Sequence, residues 1–581
     1  MHFRNYFLFL KNRNLKFKFF FILIIFFSLT IFLLDSFSIF TLLPIISNIS
    51  LSESSNYTNY SQYIPDYLIN FIVDLDVKKL FLLLIIIFFL RNIFYIFYNF
   101  IIYNFSKFLE IDTSKKVFFL SISKSFLNFY EQNSSEIIKD LRDSVASYVM
   151  FVENLIRIIT EIIIIFLFII FLFYISQKET TYIVTYFLFV FIILSRLTSK
   201  ISSVYGKETN LSASRINFTI INAYKNFAQI ILRQLKGKYM KIFTNNIIQF
   251  SVSRLFINFI RSNTKPILEI FILLFILLFF YSQRDFYNQS EILMLTSIYL
   301  LAGYRILPMI NSLTGYFIRL KNFEFAFNII NERINLFNKK HNKINYKTKK
   351  KSKFKFKKIF ELKNISFQYK VSKENYLFKN LRLKIRKNEM IGIYGQSGYG
   401  KSTIAKIILG LIKPIGGHIS LDRKKINFKQ IDQYQSLFGY LPQENLFIPG
   451  TIKENIAFGE EEINEKKLIE ALKKSNCLEF VNKLKNKTNH KLTEDGKNFS
   501  TGQLQRLALA RIIYFDNEII VLDEPTSSLD PQAENKFIKL VNSLKKYKTI
   551  IIISHKSKTL KNCNRVFELK NKKLSRRKLN N

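Results

Sequence analysis

Met390-Ile391-Gly392-Ile393-Tyr394-Gly395-Gln396-Ser397-Gly398-Tyr399-Gly400-Lys401-Ser402-Thr403 is the stretch on which the fold of this chain turns. Its first five residues are an apolar run of strand length, and residues 403–411 carry apolar side chains at helical spacing. Between them stands G-x-x-x-x-G-K-S in strand–loop–helix order. Glycines let the backbone fold tightly round a phosphate chain with its N–H groups turned inward. The start of the helix adds a favourable dipole. Lys401 is placed to reach the β- and γ-phosphates and Ser402 to hold Mg²⁺. Gly395, Gln396, Ser397, Gly398, Tyr399, Gly400, Lys401, Ser402 and Thr403 are therefore the expected cradle for ATP with Mg²⁺.

Downstream, Ile519-Ile520-Val521-Leu522 is a second buried-strand run, and it ends in Asp523-Glu524. A strand that delivers two adjacent carboxylates suits phosphoryl chemistry. Asp523 can hold Mg²⁺ through its water shell, and Glu524 can polarise the attacking water. An apolar run followed by an acid pair is a weak signal alone and a strong one behind the Gly-rich loop.

With both elements in place, the C-terminal part of the chain resembles the ATP-binding cassette family over the whole cassette. Phe499-Ser500-Thr501-Gly502-Gln503, followed by Leu504-Gln505-Arg506, resembles the family's signature motif. Gln443 in Leu441-Pro442-Gln443-Glu444 resembles the Q-loop residue that touches Mg²⁺ and senses the membrane domain. Ser527-Ser528-Leu529-Asp530 resembles the D-loop, and His555 in Ile553-Ser554-His555 the switch histidine that contacts the γ-phosphate. Tyr369 in Phe367-Gln368-Tyr369 resembles the aromatic that stacks on adenine, and Glu494-Asp495-Gly496 the loop that precedes the signature in exporters. Tyr369 alone reads equally as a core strand tyrosine, and His555 alone as a structural histidine. Six such elements in family order remove that reading.

The resemblance implies roles residue by residue. Glu524, His555 and Gln443 are the expected catalytic set, and Ser402, Gln443 and Asp523 the expected Mg²⁺ set. Tyr369, the loop residues 395–403, Ser500, Thr501, Gly502, Gln503 and Asp530 are the expected nucleotide contacts. In this family each nucleotide lies between Lys401 of one subunit and Ser500 of the other, so two chains are needed. A homodimer has two competent sites, and a heterodimer stays open.

The signature departs from the family pattern at two places. Phe499 stands where Leu is usual, and Thr501 where the first of two glycines is usual. A β-branched residue is stiffer and bulkier than Gly. The expectation is therefore a steric penalty that Thr501→Gly relieves or leaves unchanged. Asn388 replaces a common turn glycine, and Asn tolerates the left-handed region.

Upstream of the cassette the text changes. Apolar runs at residues 19–34 (extended to 43), 80–100, 158–175, 182–197, 267–281 and 293–317 approach the ~20 residues that span a bilayer. The first is too long for a signal peptide and has no small-residue cleavage site after it. Five basic residues (Arg4, Lys11, Arg13, Lys16 and Lys18) precede it, whereas residues 19–77 contain no Lys or Arg. Twelve Lys or Arg lie within 196–265, between the fourth and fifth runs. By the positive-inside rule both termini are cytoplasmic. The long connections 103–157 and 196–265 read as helices continuing into the cytosol, with tips near 131–135 and 226–234; a separate small domain in each loop is the alternative. Residues 339–358 hold 11 Lys and no acid, a tether or a contact for anionic headgroups.

The predicted fold is thus multi-domain. An all-α six-helix transmembrane domain (1–338) and a basic linker (339–358) precede an α/β P-loop NTPase cassette (359–581). The net charge of +44 reads mainly as a general bias toward Lys, since no nucleic-acid reading motif accompanies it. The six spans exclude a soluble cassette acting on nucleic acid. Cys477 and Cys563 lack metal spacing and give no disulfide framework, in keeping with a reducing compartment.

A membrane half fused before its cassette resembles exporters, with no peptidase domain ahead of the first span. Asp35 leading to Leu42-Leu43-Pro44-Ile45, Arg305-Ile306-Leu307-Pro308 and the tail from Lys548-Thr549-Ile550 to Cys563-Asn564-Arg565 resemble the bacterial flippases for lipid-linked oligosaccharides. The implied activity is ATP-driven flipping of an amphiphilic lipid-linked substrate across the inner membrane, among membrane lipids, by a multi-pass protein. A lipid A, drug or peptide exporter is an even alternative; a non-pumping ATP-dependent regulator is another class, disfavoured by Lys401, Glu524 and His555. Glu269 and Arg305 fall at similar depth in the last two spans and are expected to pair, with Arg305 available to a cargo pyrophosphate.

Overall fold

The computed structural model describes residues 15–50, 77–123, 126–127, 134–175, 177–283, 289–340, 354–369, 376–396, 398–428, 431–444, 447–493 and 496–577. The chain divides into two compact units. The first comprises Met1–Lys124 with Phe129–Ile344, and the second Asn345–Asn581 with Ser125–Asn128. The boundary thus falls inside the basic linker, of which 341–353 lie outside the described residues.

Six long helices build the first unit: α1 (Leu15–Ser50), α2 (Val77–Ile122), α3 (Val145–Ile175), α4 (Gln177–Lys225), α5 (Lys236–Gln283) and α6 (Gln289–Lys340). They are longer than the apolar runs because the helix continues where the hydropathy falls. The 46 residues of α2 extend about 69 Å, against about 30 Å of bilayer core. Among the described residues four segments are long and apolar enough to cross a membrane: Leu15–Ser38, Lys78–Ile122, Glu136–Phe173 and Thr180–Lys225.

These helices pack through side chains at heptad spacing. Phe17, Ile24 and Ile31 of α1 join Tyr98, Ile102, Phe105 and Leu109 of α2, Val145, Val152 and Ile156 of α3, and Leu320, Phe327 and Ile334 of α6 in one buried cluster. Side chains three, four and seven apart share one helix face, so each helix gives one stripe to this seam. Phe151 and Phe327 stack at 4.1 Å between α3 and α6. Several buried polar groups in this unit find partners within it, as a medium without water favours. Arg91 lies 3.2 Å from the buried Asp35, and the Tyr98 and Thr160 hydroxyls are 3.0 Å apart.

The long connection between α4 and α5 is the helical extension read from sequence. α4 runs to Lys225, a six-residue helix Phe227–Leu232 crosses the tip, and α5 begins at Lys236. Helix interrupted only at 226 and 233–235 fills the connection, with no separate domain there. At the first tip, residues 128–133 lie outside those described, and helix resumes at Ser134.

In the second unit, β1 (Ile359–Phe367), β2 (Phe378–Arg386), β4 (Gly416–Leu421) and β5 (Lys424–Lys425) form an antiparallel sheet in the order β2-β1-β4-β5. The other sheet contains β3 (Met390–Tyr394), β6 (Phe438–Leu441), β7 (Ile519–Asp523), β8 (Thr549–Ser554), β9 (Arg565–Lys570) and β10 (Lys573–Arg577) in the order β10-β9-β3-β8-β7-β6. Its pairings are parallel except for the terminal β9–β10 hairpin. A parallel sheet is covered on both faces, so its central strands are near-continuous apolar runs. Ile391, Ile393, Val521, Ile551 and Ile553 fill one core, while Met390, Ile520, Leu522, Ile550 and Ile552 fill the other. Three helices matter for the site: α7 (Lys401–Ile408), α8 (Thr501–Tyr514) and α9 (Pro531–Leu544). Asn388, in the turn before β3, has φ +55°, the left-handed conformation expected where Asn replaces Gly.

Candidate functional site

The sheet order brings the C-terminal ends of β3, β7 and β8 side by side, because β8 pairs with both neighbours in register. Ser554 lies opposite Tyr394, and Ile553 opposite Asp523. The residues that follow these three strands are Gly395, Glu524 and His555, so contributions some 160 residues apart in the chain converge at one sheet edge. The resulting cleft, of about 630 Å³, is lined by Tyr394, Gly395, Gln396, Gly398, Gly400, Lys401, Ser402, Thr403, Gln443, Glu524 and His555.

At the loop the backbone turns into α7 through Gly400, whose φ is +90°; a Cβ there would meet the Phe378 ring at 2.8 Å. Only glycine meets both demands. No side chain caps α7, so its first N–H groups are left for a ligand. Lys401 is buried, and its ammonium donates to the carbonyls of Gly395 (2.8 Å) and Gln396 (2.9 Å). It also lies 3.6 Å from Glu524 Oε1. Glu524 Oε2 is 3.1 Å from His555 Nδ1. Glu524 itself has φ +49°, uncommon for a residue with a side chain, and its N–H donates to the Ile553 carbonyl at 2.8 Å. That conformation turns the carboxylate off the strand and into the cleft.

Asp523, one residue earlier, is buried, and its Oδ1 has no hydrogen-bond partner among the described residues. Burial raises its pKa, the nearby Glu524 charge adds to that, and the Ser402 and Tyr440 hydroxyls offset part of it. An orphaned carboxylate oxygen beside a serine hydroxyl and a cleft-lining glutamine amide is a hard-oxygen set that fits Mg²⁺ shared with nucleotide phosphates. Tyr369 is tied to the same loop: its hydroxyl is 2.9 Å from that of Thr403, and its ring stands edge-on to Phe367 at 5.0 Å.

Other expected site residues lie elsewhere. Ser500, Thr501, Gly502 and Gln503 form the start of α8 and do not line the cleft of their own chain. Ser500 caps that helix: its Oγ accepts from Gln503 N at 3.3 Å, and Gln503 Oε1 accepts from Ser500 N at 2.9 Å. Asp530 caps α9, accepting from the N–H groups of Gln532 and Ala533, both at 2.9 Å. Those bonds hold its carboxylate below the usual range, the Ala533 N–H most of all. Ser397, Glu494 and Asp495 lie outside the described residues. Tyr394 and Tyr440 were not expected. The first is visible as the last strand residue before Gly395; nothing in the sequence marks the second.

Within its own chain Thr501 carries no backbone strain: it sits in the first helical turn, outside the left-handed region, and its hydroxyl donates to the Ser528 carbonyl at 3.3 Å. Glu269 meets Lys265, one turn earlier on α5, at 3.8 Å. The side chain of its expected partner Arg305 is outside the described ones.

The sequence profile of the ABC transporter family matches residues 378–527. These residues form an ABC transporter ATPase domain. The α-hemolysin translocation ATP-binding protein HlyB of Escherichia coli O157:H7 is 34% identical over 211 residues, 36% of this chain and 30% of that protein. The glutathione/L-cysteine transport system ATP-binding/permease protein CydD of Haemophilus influenzae is 33% identical over 33% of this chain and 32% of that protein. The matches thus span about a third of these relatives' length. Across 96% of the chain, the architecture is similar to that of a bacterial Atm1-family ABC exporter solved with ATP bound. The TM-score is 0.76 at 16% identity, covering 93% of that chain. The fold is therefore that of an ABC exporter half: helical membrane unit first, ATPase cassette second, in one multi-pass chain.

Proposed function

We propose that this chain is half of an ATP-driven exporter that works as a homodimer and flips an amphiphilic lipid-linked oligosaccharide across the bacterial inner membrane, both termini being cytoplasmic. The observation that carries the reading is the grouping of Lys401, Glu524 and His555 around one cleft, on a chain whose helices exceed the bilayer thickness. In this reading the loop 395–403 and the start of α7 bind the phosphates. Asp523, Ser402 and Gln443 hold the metal, and Tyr369 stacks on the adenine. Mg²⁺ bound there neutralises charge on the phosphate oxygens.

Glu524, turned into the cleft by its left-handed backbone, orients the attacking water and takes its proton. His555 holds the carboxylate in place, and Lys401 leaves the Gly395 and Gln396 carbonyls for the phosphate oxygens. Ser500 to Gln503, absent from the cleft of their own chain, serve the partner's nucleotide. Closure of two such sites drives alternating access in the membrane helices.

HlyB and CydD are named for different cargoes, so cassette similarity does not choose the substrate. The choice of a lipid-linked oligosaccharide rests on the Asp35, Arg305 and tail segments of the sequence. The test is to identify by mass spectrometry the lipids retained on the gently purified protein, then follow a labelled form of the retained lipid in proteoliposomes. The reading expects a lipid-linked glycan that changes leaflet only with ATP. Retention of lipid A, or ATP turnover with no lipid movement, overturns the cargo or the pump respectively.

A further inference from the structure

Thr501 occupies a position where a small, flexible residue would suffice, yet its side chain makes a specific contact. Its Oγ1 donates to the backbone carbonyl of Ser528 at 3.3 Å. Four residues further into α8, Gln505 Nε2 donates to Ser528 Oγ at 3.5 Å. Beneath them Gly502 leaves room for the Leu529 side chain, 3.6 Å from where a Cβ would stand. The first turn of α8 is thus a platform for residues 527–530.

The same segment is anchored at its other end to the catalytic strand. Ser527 donates to the Glu524 carbonyl from both its N–H (3.2 Å) and its hydroxyl (3.1 Å). Thr526 is held by the Thr559 hydroxyl at 3.0 Å, and its carbonyl accepts from Lys556 at 3.0 Å. Glu524 and Thr501 are therefore joined by one short, continuous path: Glu524 carbonyl, Ser527, Ser528 carbonyl, Thr501 hydroxyl. A glycine at 501 has no hydroxyl to close that path.

We infer that Thr501 is a positioning residue for ATP hydrolysis: its hydroxyl clasps the start of α8 to the loop leaving Glu524, so that the surface bearing Ser500 and the carboxylate Glu524 move as one element. This rests on the proposed ATPase reading and adds a coupling specific to this chain. Thr501 does not line the nucleotide cleft of its own chain, so within that chain the clasp reaches the cleft only through the segment leaving Glu524. A net intramolecular hydrogen bond changes an equilibrium by a factor of about 2 to 12, which sets the expected scale.

The experiment compares full-length wild type, Thr501→Ser, Thr501→Val and Thr501→Gly in lipid, measuring steady-state ATP hydrolysis and amide hydrogen exchange across residues 524–533. Val keeps the shape of Thr without the hydroxyl, and Ser keeps the hydroxyl without the branch. The clasp predicts that Val and Gly lower kcat about fivefold and speed exchange in that segment, whereas restoring the hydroxyl with Ser recovers most of both. Thr501→Gly turnover at or above wild type, or Thr501→Val matching wild type in rate and exchange, overturns the clasp. Should wild type show no ATP turnover, the ATPase reading falls. The exchange comparison then still decides the clasp, since it needs no nucleotide.

Discussion

Lys401 Nζ lies 3.6 Å from Glu524 Oε1, so the cation proposed to bind phosphate and the carboxylate proposed to face the attacking water sit within ion-pair distance in the cleft. The lysine also donates to the Gly395 and Gln396 carbonyls, and the glutamate is held on its other oxygen by His555. Nucleotide phosphates compete for Lys401, and their arrival frees Glu524 for water. Lys401→Met should therefore abolish ATP-dependent stabilisation. A ligand at 100 times its Kd adds about 2.7 kcal/mol to the bound form. Wild type should show the matching rise in melting temperature with Mg²⁺-ATP, and Lys401→Met none; a preserved rise would place the phosphates elsewhere.

Tyr369 offers two separable contributions, its ring and its hydroxyl. The ring is the proposed surface for adenine, and the hydroxyl bonds Thr403 in the loop helix. Tyr369→Phe keeps the ring and should raise KM for ATP by no more than about threefold, while Tyr369→Ala should raise it about tenfold or more. Equal losses from both substitutions would show that the hydroxyl bond, not stacking, carries the contribution.

A third expectation concerns the cassette's stability. Arg565 on β9 grips Glu389, just before β3, through two bonds of 2.5 and 2.7 Å and donates to the Lys384 carbonyl at 2.7 Å. Burial works to raise the Glu389 pKa, but the Arg565 and Arg386 bonds outweigh it and hold the group below its usual value. A depressed carboxylate pKa contributes stability above the unfolded value of about 4.3 and loses it as pH falls through the folded value. Glu389→Gln should cost about 1.5–3 kcal/mol at pH 7. In thermal unfolding from pH 7 downward, the gap between mutant and wild type should close below about pH 4. A gap that stays constant through that range would assign the loss to packing instead of charge.

How much of this was legible in the sequence follows from where each contact lives. The loop 395–403 was readable because strand, glycines, lysine and helix are contiguous, and the geometry of Gly400 bears out what its residue type demands. The convergence of Gly395, Glu524 and His555 was readable only through the family resemblance, since strand order is a long-range property. The left-handed backbone at Glu524 and the Tyr440 contact leave no local mark, because Glu and Tyr are ordinary at strand ends. The Thr501 contact was hidden for a related reason: its side-chain acceptor is a backbone carbonyl 27 residues away, which composition does not reveal. For Glu269 the sequence reading weighed depth across helices and passed over Lys265, four residues back on its own helix and 3.8 Å away.

The measurement that bears most directly on the account is steady-state ATP hydrolysis by the full-length protein in lipid, wild type beside Glu524→Gln. The amide is nearly isosteric with the carboxylate yet cannot accept the proton of the attacking water. Loss of a general base costs about 10²–10⁴ in rate. The account predicts that wild type turns over ATP, and that Glu524→Gln retains ATP, loses turnover by at least about a hundredfold and accumulates as a nucleotide-bound dimer. Turnover near the wild-type rate in Glu524→Gln would contradict it.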